Sequence, residues 1–195
     1  MLIDSTGWVQ SYRIYESVIR SRARLVYDDV AEFLDTGQTR TIRNKEVLEN
    51  LIVMNEVAKA LQEKRTKRGA INFNFAEQQI KLDDQNQMVG VNKRFQSSSM
   101  KLIEQFMLEA NETVAKHCTG NRLPALYRVH GSPDLSKLER LKKVFQRFNI
   151  PVSPNSLSDS GQFNKALKSI ENLTNKNQLQ IILLRSMALA TYGND

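Results

Sequence analysis

The sequence has 195 residues, which suits one domain or a substantial part of a larger one. Hydrophobic residues make up 41% of it and charged residues 25%, enough apolar material for a buried core, which argues against wholesale disorder. The formal net charge of +7 favours a polyanionic partner, either nucleic acid or an anionic membrane surface.

The cysteine, histidine and apolar content excludes several further classes of protein. The single cysteine, Cys118, excludes an intrachain disulfide and a cysteine-based zinc cluster, and it favours a reducing, cytoplasmic location. The two histidines, His117 and His130, are too few for a histidine-rich metal site. The longest apolar runs, residues 181–184 among them, are far shorter than the ~20 residues of a membrane helix. We therefore expect no membrane partner.

Hydrophobic periodicity and turn residues predict alternating strands and helices. The first elements are strands at 1–3 and 8–15 around a turn at 5–7, a helix at 27–34 ending near Gly37, and a helix at 44–65. These are followed by a strand at 70–75, a hairpin of 79–82 and 88–91, a helix at 99–118 and a buried strand at 124–130. The last elements are a helix capped by Ser132 and Pro133, a polar loop at 151–161, and helices at 162–173 and 178–192. The pattern predicts a mixed α+β fold in one unit, with antiparallel strands packed with amphipathic helices.

Neither pair of neighbouring acidic residues has the spacing of a metal site. Asp28 and Asp29 point about 100° apart on their predicted helix, which makes them a poor chelate. Asp83 and Asp84 fall in a predicted hairpin turn, where acidic residues are common. We interpret both pairs as solvated surface. The sequence also lacks a glycine-rich phosphate loop and the GxSxG, HExxH and CxxC motifs.

Two basic clusters each lead into an aromatic residue. The first consists of Arg13, Arg20, Arg22 and Arg24 before Tyr27, and the second of Lys64, Arg65, Lys67 and Arg68 before Phe73. A groove for single-stranded nucleic acid uses cations along the phosphates and aromatic rings that stack on bases. The alternative is a solvated basic face over ordinary core aromatics. The residue pattern alone leaves both interpretations open.

Six motifs follow one another along nearly the whole chain. They are YESVI at 15–19, SRARLVYDDV at 21–30, KRGAINF at 67–73, KLIEQFMLEAN at 101–111, PALYRVH at 124–130, and LLRSM at 183–187 followed by Tyr192. In sequence and order they resemble the catalytic (RNB) domain of the ribonuclease R and ribonuclease II family. The sequence departs from the family pattern at Gln105, where a second glutamate is common, and at 95–98, where N-D-A-H is usual.

The resemblance implies processive 3′→5′ removal of nucleotides from single-stranded RNA, with two magnesium ions activating water. In the family those ions lie on an aspartate cluster, D-x-x-x-x-D-x-D-D, upstream of the matched stretch, and an arginine motif, T-S-P-I-R-R-Y, lies downstream. We therefore expect the chain to be a partial RNB domain, with no catalytic or metal-binding residue of its own and no bound magnesium. Exposed core surface would then favour self-association.

The resemblance also indicates which residues would contact RNA. Tyr27 matches an aromatic residue that packs against the 3′-terminal bases, and Tyr127 matches a second aromatic residue that clamps them. Arg24, Arg68 and Arg128 are candidates for phosphate contacts or for ion pairs within the scaffold. A stand-alone RNA-binding module without chemistry, and a structural protein with a basic face, remain alternative functions.

Overall fold

The computed structural model describes residues 1–71, 75, 77–131, 134–150 and 160–194. Helices and short strands alternate along the chain, as a mixed α+β fold requires. In chain order they are β1 (Leu2–Ile3), β2 (Val9–Ser11), α1 (Tyr27–Thr36), α2 (Lys45–Arg68), β3 (Glu77–Leu82), β4 (Met88–Arg94), α3 (Ser98–Gly120), β5 (Tyr127–His130), α4 (Leu135–Arg147), α5 (Ser160–Ile170), α6 (Lys176–Ser186) and β6 (Ala190–Gly193). The strands form three antiparallel pairs, β1–β2, β3–β4 and β5–β6.

The chain forms two compact units. Unit 1 contains Met1–Arg65 and Asn74–Glu112, and unit 2 contains Thr66–Phe73 and Thr113–Asp195. Each unit has a hydrophobic core of its own, and each is described by itself below.

In unit 1, the turn between β1 and β2 is organised by one carboxylate. Asp4 accepts hydrogen bonds from Thr6 Oγ1 at 2.7 Å, from the backbone N–H groups of Thr6 and Trp8 at 2.9 and 3.0 Å, and from Gln10 Nε2 at 2.6 Å. These bonds lower the pKa of Asp4 to about 2. The largest contributions come from the Thr6 hydroxyl and the Trp8 amide.

Gly7 allows this turn to lie directly against α2. Its φ of 85° is in the left-handed region, which favours glycine. A Cβ atom at this position would lie 2.8 Å from the backbone oxygen of Ala60, closer than real Cβ atoms approach. The turn predicted at 5–7 therefore needs glycine both for its conformation and for its packing.

The predicted strand at 8–15 is too long. β2 ends at Ser11, and residues 12–26 form no helix or strand. The physical reason is the lack of a partner: β2 pairs with the two residues of β1, and no other strand among the described residues lies beside 12–15. The apolar residues of this segment, which suggested a strand, are largely exposed.

The first two helices begin and end where the sequence predicts, within a few residues. Gly37, with φ of 74°, caps α1 by donating its backbone N–H to the Phe33 oxygen. The side chain of Asn44 caps α2 by accepting from the N–H of Glu46 at 3.0 Å. α2 continues to Arg68, three residues beyond the predicted end. The core of unit 1 consists of Val30, Phe33, Ile42 and Leu51, with Leu34, Val47, Leu48 and Met54 packed against it.

The predicted hairpin is also present, as β3 and β4, with Ile80 opposite Val91. Asp83 closes its turn by accepting from the N–H groups of Gln85 and Gln87 at 2.9 and 2.8 Å. This contact explains the acidic residue at that position, as the turn interpretation expects. The strand predicted at 70–75 falls largely on 72–74, outside the described residues.

The core of unit 2 is built by α4, α5 and α6. It consists of Leu138, Leu141, Phe145, Ile150, Ala166, Leu167, Ile170, Leu179 and Leu183. The carboxylate of Asp134 caps α4 by accepting from the N–H of Ser136 at 2.7 Å, and the hydrogen bonding of Ser136 lowers the pKa of Asp134. The predicted cap, Ser132 and Pro133, and residues 151–159 of the predicted loop lie outside the described residues.

The last two predicted elements need correction. The strand predicted at 124–130 is present only as β5, and three of its four residues are exposed, not buried. The helix predicted at 178–192 ends at Ser186, and β6 follows it. β6 forms because β5 supplies a partner for its backbone groups, a pairing across about 60 residues that helical periodicity cannot reveal.

Candidate nucleic-acid interface

In unit 1, Tyr27 lies at the edge of an apolar groove. It is the first residue of α1, and its backbone oxygen accepts a hydrogen bond from Ser99 Oγ at 2.7 Å, which ties the start of α1 to α3. The groove has a volume of about 180 Å³ and is lined by Leu25, Val26, Tyr27, Val30, Leu51, Met54, Ser99, Leu102 and Ile103. Tyr27 is 47% exposed. Its ring can therefore stack on a planar ligand while its backbone is held in place.

Arg24 precedes Tyr27 in the irregular segment 12–26 and is exposed. Arg13, Arg20 and Arg22 are exposed in the same segment, so several accessible cations precede Tyr27 along the chain. Such a combination matches the requirements of a single-strand groove.

The Asp28 carboxylate is engaged in an ion pair. It accepts from Arg94 Nη2 at 2.8 Å, an interaction that links α1 to the end of β4. Its side chain is 76% exposed, so the pair contributes little to stability. Asp28 therefore behaves as a solvated surface residue, in line with the interpretation of Asp28 and Asp29.

One member of the second basic cluster is not on the surface. Lys64 is buried, and its Nζ lies 2.5 Å from Glu109 Oε2 on α3 and 5.3 Å from the centre of the Trp8 ring. Arg65 donates to Gln105 Oε1 at 3.0 Å. Lys64 therefore does not contribute to an exposed basic face, because its charge is already paired in the interior.

The remaining predicted residues lie in unit 2. Arg68 is the exposed last residue of α2. Tyr127 begins β5 and is half-buried, and its hydroxyl accepts from Thr119 Oγ1 at 3.1 Å. Its ring forms part of the wall of a cleft lined by Cys118, Thr119, Arg122, Leu123, Pro124, Tyr127 and Asn194. Tyr127 is thus a held, partly accessible ring.

Arg128 is directed away from Tyr127. Successive residues of a strand point to opposite faces, so Arg128 shares its face with His130, and Tyr127 shares the other face with Val129. The register of the ribbon places Tyr192 directly opposite Arg128. His130 Nδ1 lies 3.3 Å from the backbone oxygen of Ala188.

The sequence interpretation missed Tyr192 as a candidate site residue. It was assigned to the end of a helix, whereas it is a strand residue that is 72% exposed. A local signal for the strand exists, since Thr191 and Tyr192 are β-favouring residues followed by Gly193.

Among the described residues, no group of three or more His, Cys, Asp or Glu side chains is arranged to hold a metal ion. Likewise, no helix in the described part of the chain is long and apolar enough to span a bilayer.

Comparison with known proteins identifies the family. The model of the RNB domain matches residues 1–195. The chain belongs to the RNB family. Ribonuclease R of Thermotoga maritima is 35% identical over 195 residues, and ribonuclease R of Aquifex aeolicus is 31% identical over 193 residues. Each alignment covers 99% of this chain and 27% of the relative, so the chain spans about a quarter of the length of these relatives.

A solved structure agrees with this RNB-family fold. Ribonuclease R of Mycoplasma genitalium, in complex with ribose-methylated single-stranded RNA, has a TM-score of 0.89 and 26% identity, covering 99% of this chain and 30% of that one. The structure of the same protein with double-stranded RNA matches with the same TM-score. The expected mixed α+β RNB fold is confirmed.

Proposed function

We propose that this chain is part of a 3′→5′ exoribonuclease that hydrolyses single-stranded RNA to nucleoside monophosphates, and that it contributes surface to the RNA channel. The observation that carries the proposal is the RNB-family match along all 195 residues. The similar ribonuclease R of Mycoplasma genitalium, solved with single-stranded RNA, supports RNA as the ligand.

The chemistry of unit 1 supports the channel role. Tyr27 offers an accessible ring whose backbone is fixed by Ser99, and Arg24 lies three residues away in an exposed basic segment. In unit 2, Tyr127 and the exposed Arg68 and Arg128 supply the same two kinds of group. Rings bind bases by stacking and cations bind phosphates, which gives affinity for RNA without strong sequence preference.

Replacing Tyr27 with alanine should weaken binding of a labelled 12-nucleotide single-stranded RNA by about fivefold to tenfold, because one base loses its stacking partner. Fluorescence anisotropy at 50 and 200 mM salt measures the effect. Tyr27→Phe should bind like the original chain. Phe95→Ala is the matched control, since Phe95 is 59% exposed but does not line the groove. Equal losses for Tyr27→Ala and Phe95→Ala would contradict the role given to Tyr27.

The original chain tests the proposed function itself. Its affinity for RNA should fall with increasing salt, with a slope of log K against log salt of about −0.7 for each phosphate contact. Absence of salt-dependent binding would contradict the proposal as a whole.

In this proposal any magnesium would be held by the parent enzyme's aspartate cluster and not by the residues of this chain. The role proposed for the described residues of this chain is to bind and orient the RNA. A second candidate function is a non-catalytic RNA-binding module, which would use the same exposed rings and cations, Tyr27 and Arg24 among them. Reading the gene on both sides of the matched stretch separates the two, because only the exoribonuclease requires an aspartate cluster in the same reading frame. With magnesium present, 3′→5′ shortening of RNA by this chain alone would contradict the non-catalytic module, and it would also contradict the expectation that this chain holds no catalytic residue.

We further propose that the chain is cytoplasmic and associates with itself. A single cysteine supports a reducing compartment.

The irregular segment 12–26 exposes Ile14, Tyr15, Val18 and Ile19, an apolar surface that a second copy could cover. Light scattering over a range of concentrations should reveal dimers or larger species, and a monodisperse monomer throughout would contradict self-association.

A further inference from the structure

We propose that Tyr192 and Arg128 together form a further contact for one nucleotide of single-stranded RNA, on the face of the β5–β6 ribbon opposite to Tyr127. The proposal rests on the proposed function, because it takes RNA as the ligand. It adds Tyr192, an aromatic residue outside the set indicated by the resemblance, and it gives Arg128 a defined partner.

The register of the β5–β6 ribbon places Tyr192 beside Arg128. Arg128 is paired with Tyr192, and His130 with Ala190. Directly opposite residues of an antiparallel pair share one face, with Cβ atoms about 4.5–5.5 Å apart. The face therefore presents an aromatic ring beside a guanidinium group, with an imidazole two residues along the same strand.

The side chains on this face are exposed to solvent. Tyr192 is 72% exposed although it lies in a paired strand, and Arg128 and His130 are also exposed. A large aromatic ring gains little stability when it points into water. The packing of unit 2 thus gives no account of the aromatic residue at this position, whereas a ligand that covers the ring does.

This face of the ribbon carries the positive charge of Arg128. Neither β5 nor β6 contains Asp or Glu, and within the described residues Arg128 has no acidic partner within salt-bridge distance. Its guanidinium is therefore available to an external anion. A simple anion such as a carboxylate would contact only the Arg128 guanidinium and would leave the Tyr192 ring uncovered. A nucleotide supplies both a phosphate for Arg128 and a planar base for Tyr192.

The test uses two probes that differ only in their bases. One is a labelled 12-nucleotide oligoadenylate, and the other is an abasic strand with the same number of phosphates. Tyr192→Thr keeps a β-favouring residue in the strand but removes the ring. We expect it to weaken oligoadenylate binding about fivefold to tenfold and to leave abasic binding unchanged. Tyr192→Phe should retain the original affinity for both probes.

Arg128→Gln should weaken both probes and reduce the salt slope by about 0.7, the loss of one phosphate contact. Val129→Thr is the matched control, because Val129 lies on the opposite face of the same ribbon. It should bind both probes like the original chain. In the double variant Tyr192→Thr/Arg128→Gln, the two losses should not simply add if the residues hold the same nucleotide.

Three outcomes would overturn the proposal: an unchanged affinity of Tyr192→Thr for oligoadenylate, equal losses of Tyr192→Thr on both probes, or a loss in Val129→Thr of the same size. An original chain that binds neither probe would instead overturn the proposed function.

Discussion

Replacing Lys64 with methionine should lower the free energy of unfolding by about 3–5 kcal/mol, the largest electrostatic effect expected in the described residues. The Lys64 and Glu109 side chains are only 6% and 4% exposed, and their charged atoms lie 2.5 Å apart. Removal of the lysine would leave the Glu109 carboxylate buried without its partner. Urea unfolding followed by fluorescence of Trp8, the only tryptophan, measures the change next to the site itself.

Lys45→Met is the matched control for this prediction. Lys45 lies on the same helix and pairs with Glu49 at 3.7 Å, but the two side chains are 89% and 64% exposed. Its loss should cost less than about 0.5 kcal/mol. The double variant Lys64→Met/Glu109→Leu should recover most of the stability, because an apolar pair replaces both charges. Similar unfolding midpoints for Lys64→Met and Lys45→Met would contradict the buried pair.

Replacing Phe145 with alanine should destabilise unit 2 by about 3–5 kcal/mol, through lost burial and the cavity left behind. Phe145 is 0% exposed and belongs to the core formed with Leu138 and Leu141 of the same helix. Urea unfolding followed by far-ultraviolet circular dichroism measures the loss.

Phe148→Ala makes the same chemical change three residues further on. Phe148 is 40% exposed at the end of α4, so its replacement should cost much less than that of Phe145. Phe145→Leu, which refills part of the space, should fall between the two. If both alanine variants were equally destabilised, the placement of Phe145 in the buried core and of Phe148 outside it would be wrong.

Local features of the sequence predict much of this fold. The apolar spacing of Val47, Leu48 and Leu51 predicts α2, and Gly37 marks the end of α1. Each signal acts within a few residues, where helix periodicity and capping chemistry operate. The predicted turn at Asp83 is correct for the same reason, since its carboxylate bonds to amides two and four residues away.

Features that depend on distant partners could not be predicted in this way. Lys64 looks like one of several cations at a helix end, and only Glu109, 45 residues away, makes it a buried residue. β6 looks like a helix end until β5 is placed beside it. The candidate site shows the same division. The family resemblance indicates Tyr27 and Tyr127, but the face that Arg128 shares with Tyr192 follows from strand register alone.

The hydrogen bonds to Asp4 have a consequence for behaviour in acid. The folded pKa of this carboxyl, about 2, lies below its ordinary value of 3.8, so the folded state favours the ionised form. The resulting stabilisation is fully present above pH 3.8 and is lost as the pH falls towards 2. The turn that holds Trp8 near Lys64 therefore keeps its anchoring charge throughout the neutral and mildly acidic range and loses it only in strong acid.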